Sequence, residues 1–433
     1  MGLKLHSIFY YDDLSINIMN ILFIHQNFPG QFKHLAPALA VDPAHTVVAM
    51  TMRNDGVTHW QGVRLVPYYP QRGSTPNIHP WLGDFETKTI RAEACFRLAL
   101  KLRDEGFNPD VIVAHPGWGE SLFLKEVWPK AKLKIYSEFY YHVEGTDIGF
   151  DPEFSDEEQA GAEDQFCRVR LKNLNNLLHF ETAEAGLSPT EWQASTFPEP
   201  FRSKITVIHD GIDTQVIRPN AQVDLTLNTA EGSRILTKAD EVVTFVGRNL
   251  EPMRGYHIFM RSLPELLKAR PNAVILIVGG DEVSYGIKPT QGDSWKNIFA
   301  KEVRSDISDA DWKRIHFLGK VPYPIFLSLL QLSTVHVYLT YPFVLSWSLL
   351  EAMSAGCAIV ASDTAPLREA IHHDQTGRLV GFFDPKALAQ EVSQLLGDAE
   401  ARVRLGAQAR AFVEANYDLK AVCLPKQIQW VLS

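Results

Sequence analysis

Two segments of the chain open alike. Asn20-Ile-Leu-Phe-Ile-His25 is a short apolar run, followed by the polar turn Gln-Asn-Phe-Pro-Gly-Gln and a helix-like stretch from Phe32 to Ala40. Val242-Val-Thr-Phe-Val-Gly247 is a second such run, followed by Arg-Asn-Leu-Glu-Pro-Met-Arg-Gly and a helix-like stretch from Tyr256 to Arg270. Strand, polar turn and helix make the repeating unit of a parallel sheet. After the first opening, period-two and apolar runs predict strands at 46–51, 110–114 and 134–138, with further strands at 178–180, 186–188 and 205–209. Helical spacing predicts helices over 84–105 and 156–176. After the second opening, strands are expected at 273–278, 314–317, 335–339, 358–361 and 378–380. Helices are expected at 322–332, 345–355, 366–371 and 385–396.

Alternating β and α elements predict an α/β fold of two doubly wound, Rossmann-like domains facing across a cleft, with ligands at the carboxyl ends of the strands. The expected division is an N-terminal extension over 1–19, a first domain over 20–210, a second over 211–400, and a C-terminal helix and irregular tail over 401–433. The break lies in Val207-Ile-His-Asp-Gly-Ile-Asp-Thr-Gln-Val-Ile-Arg-Pro-Asn220, and polar, poorly periodic sequence follows to Asp240. The strong strand begins beside Met19, which suggests an alternative start there. The length of 433 residues suits two domains of this kind.

Composition narrows the classes. The chain is 45% hydrophobic and 21% charged, as for an ordinary globular protein, and holds no apolar run of membrane-spanning length. Its net charge of −9 lies wholly in residues 1–200, which hold 17 Lys+Arg against 26 Asp+Glu, while the remainder balances at 25 of each. An acidic first half disfavours nucleic acid as a partner. Cys95, Cys167, Cys357 and Cys423 are widely spaced, which fits buried free thiols in a reducing compartment rather than a zinc site. A cytoplasmic location follows, at most peripheral at the inner face of the membrane.

Four segments carry candidate chemistry. Gly247-Arg248 and Arg254-Gly255 place two guanidinium groups in one loop after a strand, which reads either as a surface loop or as a grip for a diphosphate. In Phe343-Val-Leu-Ser-Trp-Ser-Leu-Leu-Glu351-Ala-Met-Ser-Ala-Gly356, Ser346 can cap a helix whose first amides are free for anionic or sugar oxygens. Glu351 lies among apolar residues, so it needs either an internal partner or a ligand diol. Gly30, in the first turn, allows close backbone approach or is a routine turn glycine. The strand exit Ser137-Glu138-Phe-Tyr-Tyr-His142 offers Glu138 and His142 as an acceptor-side base or sugar ligand, or as structural groups. His115 ends the neighbouring strand with the same two readings. Trp81, Trp118 and Tyr140–His142 are candidates for an acceptor surface or for core.

Taken in order, several blocks resemble family 4 of the retaining glycosyltransferases, which have the two-domain GT-B fold. They are His25-Gln-Asn-Phe-Pro-Gly-Gln-Phe32, Val207-Ile-His-Asp-Gly-Ile-Asp213, Phe245-Val-Gly-Arg248 with Arg254-Gly255, Phe317-Leu-Gly319 and Ser348-Leu-Leu-Glu-Ala-Met-Ser-Ala-Gly356. The first block, with Tyr341-Pro-Phe-Val-Leu-Ser-Trp-Ser-Leu-Leu-Glu-Ala, looks like one bacterial branch.

The resemblance implies a donor site of Gly30, Gly247, Arg248, Arg254, Leu318, Gly319, Leu345, Ser346, Trp347 and Glu351. Arg248 and Arg254 would grip the diphosphate, Glu351 the ribose, and the backbone near Leu318–Gly319 the base. Arg248, Arg254, Glu138 and His142 would form the catalytic region. The donor would be a UDP- or GDP-linked sugar and the acceptor a saccharide or glycolipid, in surface glycan assembly. No metal or other cofactor is implied, and no Asp-x-Asp motif stands at a strand end. One departure is plain: the family's Glu-x7-Glu pair has Phe343 at its first position. A sugar-nucleotide epimerase of the same architecture, or a non-catalytic binding subunit, are the alternatives.

Overall fold

The computed structural model describes residues 19–154, 162–229, 232–289 and 292–433. The proposed extension, and with it the question of a start at Met19, lies outside the described residues. The first sheet contains β1 (Met19–Ile24), β2 (His45–Thr51), β3 (His59–Trp60), β4 (Val63–Pro67), β5 (Val111–Ala114), β6 (Lys132–Tyr136), β7 (Ala185–Ser188) and β8 (Ile205–Val207). Their order is β3-β4-β2-β1-β5-β6-β7-β8, parallel throughout except for the β3–β4 pair. A hairpin of β9 (Asp224–Thr229) and β10 (Gly232–Thr237) follows. The second sheet contains β11 (Val242–Asn249), β12 (Val274–Gly280), β13 (Ile315–Gly319), β14 (Val335–Tyr338), β15 (Ile359–Ser362) and β16 (Arg378–Val380), in the all-parallel order β13-β12-β11-β14-β15-β16.

Both sheets reverse direction beside their first long strand. In the first, β1 lies between β2 and β5; in the second, β11 lies between β12 and β14. Crevices at the carboxyl ends of strands open at such switch points. The central strands are buried on both faces, which is why they read as continuous apolar runs.

Several elements differ from the sequence expectation. The Leu178–Phe180 run is not a strand but part of the helix Leu174–Thr182. Helical spacing buries Asn175, His179 and Phe180 while Leu177 and Leu178 stay exposed, so the local apolar run is not a buried face. The helix expected over 156–176 reaches beyond the described residues at its start and breaks at Asn173. There the side-chain amide takes Tyr141 N–H at 3.0 Å and donates to Tyr141 O at 2.8 Å. The Phe32–Ala40 helix is shorter, Leu35–Ala40, after a tight turn over Gly30–Phe32. The polar stretch before Asp240 forms the β9–β10 hairpin, and β3 and β4 were not anticipated. Cys167 is exposed, unlike the other three cysteines.

The tail is also ordered differently from the expected C-terminal unit. The helix Ala399–Tyr417 packs on the second domain through Leu405, Ala409 and Val413. The chain then crosses back beside the first crossing. Ile212 N–H donates to Tyr417 O at 2.8 Å, and Leu419 N–H to Ile212 O at 2.9 Å. The final helix Leu424–Leu432 buries Trp430 and Val431 in the first domain. Lys134, buried in β6, caps that helix by donating to Trp430 O and to Val431 O at 3.2 Å. Burial lowers its ammonium pKa to about 8.

Candidate active site

The cleft between the sheets is built from strand exits. From the second domain, β11 leads out through Gly247 and Arg248 into the turn Pro252–Arg254, and Gly255 begins the helix Tyr256–Ala269. Gly255 has φ +68°, and a Cβ there would lie 2.3 Å from the Leu339 Cβ. Only glycine fits both demands, so Arg254 is set at a fixed turn. From β14 the chain runs through Thr340 and Phe343 to Ser346. Ser346 caps the helix Trp347–Ser354 by accepting the Ser348 N–H at 3.4 Å.

A cavity of about 180 Å³ lies between these segments and the first domain. Gly247, Arg248, Arg254, Leu345, Ser346 and Trp347 line it on one side; Gln31, Tyr136, Glu138, Gln193 and Asp210 line it on the other. Arg254 donates to Thr340 Oγ1 at 3.0 Å and lies 5.6 Å over the Tyr285 ring. Arg248 is exposed and makes no hydrogen bond or ion pair among the described residues. An unpaired guanidinium and a guanidinium held by one hydroxyl face the same space, ready for anionic oxygens.

Glu138 sits at the centre of a network on the first domain. His25 Nδ1 accepts the Asn27 N–H at 3.0 Å, so its proton lies on Nε2, which donates to Gln31 Oε1 at 2.8 Å. Gln31 in turn donates to Glu138 Oε1 at 3.4 Å. His115 Nδ1 accepts the Gly117 N–H at 3.2 Å, which turns its Nε2 toward Glu138 Oε2, 3.5 Å away. Burial raises the Glu138 pKa, but His115, His25 and Gln31 together outweigh it and hold the carboxyl below its ordinary value. Burial and the neighbouring His115 push His25 down to about 3, so it stays neutral. This network marks the switch point of the first sheet, with the His25 and His115 rings 5.5 Å apart. Gly30 is not part of the cavity wall. Its φ is +49°, and the His25 ring occupies the place a Cβ would take.

Asp210 is the other carboxyl in the cleft. Tyr136 Oη and Trp347 Nε1 both donate to its Oδ2, at 2.9 Å and 2.7 Å. Burial nevertheless raises its pKa to about 7. The Trp347 contact joins the two domains, and Lys33 Nζ lies 4.6 Å over the Trp347 ring.

Other expected residues fall elsewhere. His142 is not in the cleft: its Nε2 donates to Thr196 O at 2.6 Å, and its ring packs on Tyr140 along a shallow outer groove. Four residues of turn carry it past the mouth that Glu138 occupies. Glu351 is buried below the cavity lining, accepting from Tyr323 Oη at 2.7 Å, and burial raises its pKa. Leu318 and Gly319 end β13, two strands from β11, and do not line the cavity; space beside Gly319 is open. Trp118 packs on His25 and His115, and Trp81 on His79. Phe343 is buried against Phe139 and Tyr285, at 4.8 and 5.3 Å.

Sequence reasoning missed Asp210, Tyr136, Gln193, Tyr285 and Glu251. Asp210 stood inside the quoted His-Asp-Gly block, which was a usable signal. Glu251 had none. It is fully buried, and its Oε2 accepts the N–H groups of Ser284, Tyr285 and Gly286 at 3.1, 3.4 and 3.3 Å. It thereby ties the loop after β12 to the loop after β11. Among the described residues, one group of potential metal ligands comes together, Asp151, Glu153 and His257. There Arg261 forks onto both Glu153 oxygens at 2.7 Å, and Tyr341 Oη and His257 Nε2 face Asp151 Oδ2 at 2.7 and 3.0 Å. A cation would have to displace Arg261 and Tyr341 from the carboxylates.

Comparison with known proteins gives matches along both halves of the chain. Residues 43–217 match the model of the glycosyl transferase family 4 group, and residues 231–412 that of glycosyl transferases group 1. Each half of the chain thus matches a glycosyl transferase family model, and the whole has the GT-B type of fold. It is 26% identical over 238 residues to spore coat protein SA of Bacillus subtilis, covering 53% of this chain and 58% of that one. It is 31% identical over 171 residues to D-inositol 3-phosphate glycosyltransferase of Corynebacterium efficiens, covering 39% and 38%. The matches thus span about two fifths to three fifths of those relatives. The fold is that of HepE from Anabaena, solved with UDP and glucose (TM-score 0.63, 16% identity, 96% of this chain and 99% of that one). Sucrose-phosphate synthase from Thermosynechococcus elongatus shares it too (TM-score 0.67, 18% identity, 95% and 98%). Among the described residues no helix is long and apolar enough to cross a membrane.

Proposed function

We propose that the chain transfers a sugar, with retention, from a nucleotide-diphosphate sugar to an acceptor hydroxyl, without a metal ion. The observation that carries this reading is the pairing of Arg248 and Arg254 at the end of β11 with the capped helix Trp347–Ser354 across one cavity. Fixed cations and helix-terminal amides stabilise a leaving diphosphate as its charge develops. Glu351 would take a ribose hydroxyl in exchange for, or beside, Tyr323. The UDP and UDP–glucose complexes of HepE support a nucleotide-sugar donor. Ionised at neutral pH, Glu138 suits a hydroxyl ligand better than a general base. The acceptor's proton would leave on a donor phosphate oxygen. The intended acceptor would be a saccharide or glycolipid in a bacterial surface glycan, reached from the cytoplasm.

Phe343 favours one second reading, a binding subunit without turnover, because it replaces a carboxylate with a ring buried against Phe139 and Tyr285. Thermal stabilisation by UDP, GDP, ADP and their sugar conjugates, with and without EDTA, tests the donor site. Stabilisation by one nucleotide that survives EDTA and is lost in Arg248→Ala is expected. Stabilisation without donor hydrolysis or transfer would move the chain to the binding reading; none with any nucleotide would end the donor assignment.

A further inference from the structure

Beside the nucleotide cleft lies a second cavity of about 320 Å³, and Tyr285 lines both. The turn Pro252–Arg254 is shared in the same way. Arg254 faces the cleft, while Pro252 and Met253 face the cavity. Both halves of the chain contribute to it, with Asp147, Arg168 and Lys172 from the first and Trp295 and Tyr341 from the second. An occupant would therefore lie one aromatic ring away from the arginines.

The chemistry of the lining selects the occupant. Asp147 Oδ1 is closed off from solvent with no hydrogen-bond partner among the described residues. An acceptor buried in this way costs about 1–3 kcal/mol until a donor reaches it. Lys172 is partly buried with its Nζ 3.9 Å over the Tyr141 ring, and makes no hydrogen bond or ion pair among the described residues. The rest of the lining combines the Phe154, Tyr285, Trp295 and Tyr341 rings with aliphatic groups and with Gln165 and Arg168, and Trp295 is stacked on Phe299 at 5.6 Å and 13°. A lipid chain would leave Asp147 and Lys172 desolvated. A second phosphate would meet Arg168 and Lys172 but would also leave the Asp147 carboxylate facing a like charge and without a donor. A sugar ring meets every demand: its C–H face packs on an aromatic plane, and its hydroxyls donate to a carboxylate and accept from an ammonium.

The structure assigns this cavity as the seat of the acceptor saccharide, held by Asp147 and Lys172 against the Tyr285 and Trp295 rings. The assignment rests on the transferase reading above. The reactive hydroxyl extends past Tyr285 into the cleft. There its oxygen bonds to the donor C1, the bond from C1 to the diphosphate oxygen breaks with its electron pair leaving on the diphosphate, and the hydroxyl proton passes to that released group.

The test uses the full chain and saturation-transfer NMR with methyl glycosides of glucose, galactose, mannose, N-acetylglucosamine and glucuronic acid. Spectra are taken with and without whichever of UDP, GDP or ADP stabilises the protein. At least one glycoside is expected to bind the wild type. Its affinity should fall about tenfold in Asp147→Asn and in Lys172→Met, the loss of one charged hydrogen bond each, while nucleotide affinity stays unchanged. Asp147→Asn is isosteric, so the fold is kept. Undiminished glycoside binding in both variants, or no binding to the wild type, overturns the assignment. Failure of all nucleotides to bind instead ends the transferase reading, and the glycoside result is then read from the spectra without nucleotide.

Discussion

Asp210→Asn separates burial from hydrogen bonding at the heart of the cleft. The carboxyl receives two strong donors on Oδ2, yet its pKa stands at about 7 against an ordinary 3.8, because burial outweighs them. The folded protein therefore holds a proton at Asp210 that the unfolded chain has released between pH 4 and 7. The stability this contributes is present in full below pH 4 and is lost as pH rises through 7. The gap between the two values is worth about 4 kcal/mol, or about 1.4 kcal/mol for each pH step within the window. Asparagine keeps a carbonyl for Tyr136 and Trp347 and does not titrate. Melting temperatures of the two proteins should thus diverge in favour of the variant from pH 5 to 7, and run parallel above pH 8. An infrared band of a protonated carboxyl should vanish near pH 7 in the wild type and be missing from the variant. Nucleotide affinity should weaken above pH 7 in the wild type more than in the variant, because the ionised wall then repels the diphosphate. A constant difference in melting temperature across pH 5–8 would refute the reasoning.

Three further outcomes are expected. Arg248→Ala should lower transfer about 10²–10³-fold, near 3 kcal/mol of transition-state stabilisation, with an unchanged melting temperature because the exposed guanidinium supports nothing else in the fold; steady-state kinetics and a melt check both. Glu251→Ala should cost about 1–3 kcal/mol of stability by stranding the three amides of the 284–286 loop, and should weaken nucleotide binding as Tyr285 leaves Arg254; calorimetry reads both effects. Phe343→Glu should destabilise rather than improve donor binding, since an unpaired carboxylate would meet Phe139 and Tyr285; a loss of several kcal/mol in a denaturant melt is expected.

Apart from β3, β4 and the β9–β10 hairpin, the strands were legible because most are short apolar runs bounded by turn residues, and their alternation with helices implied two doubly wound sheets. The glycine and arginines after β11, and the serine cap before Trp347, were legible because they are local: a strand end, a loop and a helix start lie within a few residues. What failed was non-local or fine-grained. Leu178–Phe180 looks like a strand until the positions of Asn175 and His179 are known. The tail looks irregular until Lys134, some 300 residues earlier, supplies the cap for Trp430. Glu251 in sequence is one acidic residue in a polar loop; its three amide partners lie more than thirty positions away.

The same distinction explains His142 and Phe343. A strand exit rich in titratable groups points to a cleft, but only the first residues after the strand can face it. Glu138 does; His142 is carried past it to the outer flank of the first domain, where it donates to Thr196 O, on the segment 139–154 that then crosses to the second domain. That segment inserts Phe139 against Phe343, Phe150 against Tyr341 and Phe382, and Phe154 against His257 and Trp295, and Asp151 accepts from Tyr341. Three of these residues, Phe154, Trp295 and Tyr341, also wall the second cavity. Phe343 serves this attachment, so its identity follows from packing between domains as much as from any ligand. Tyr140, Tyr141 and His142 stay tied to Thr196 and Asn173 of the first domain, so any opening of the cleft that carries Phe150–Phe154 with the second domain must bend the chain between His142 and Phe150.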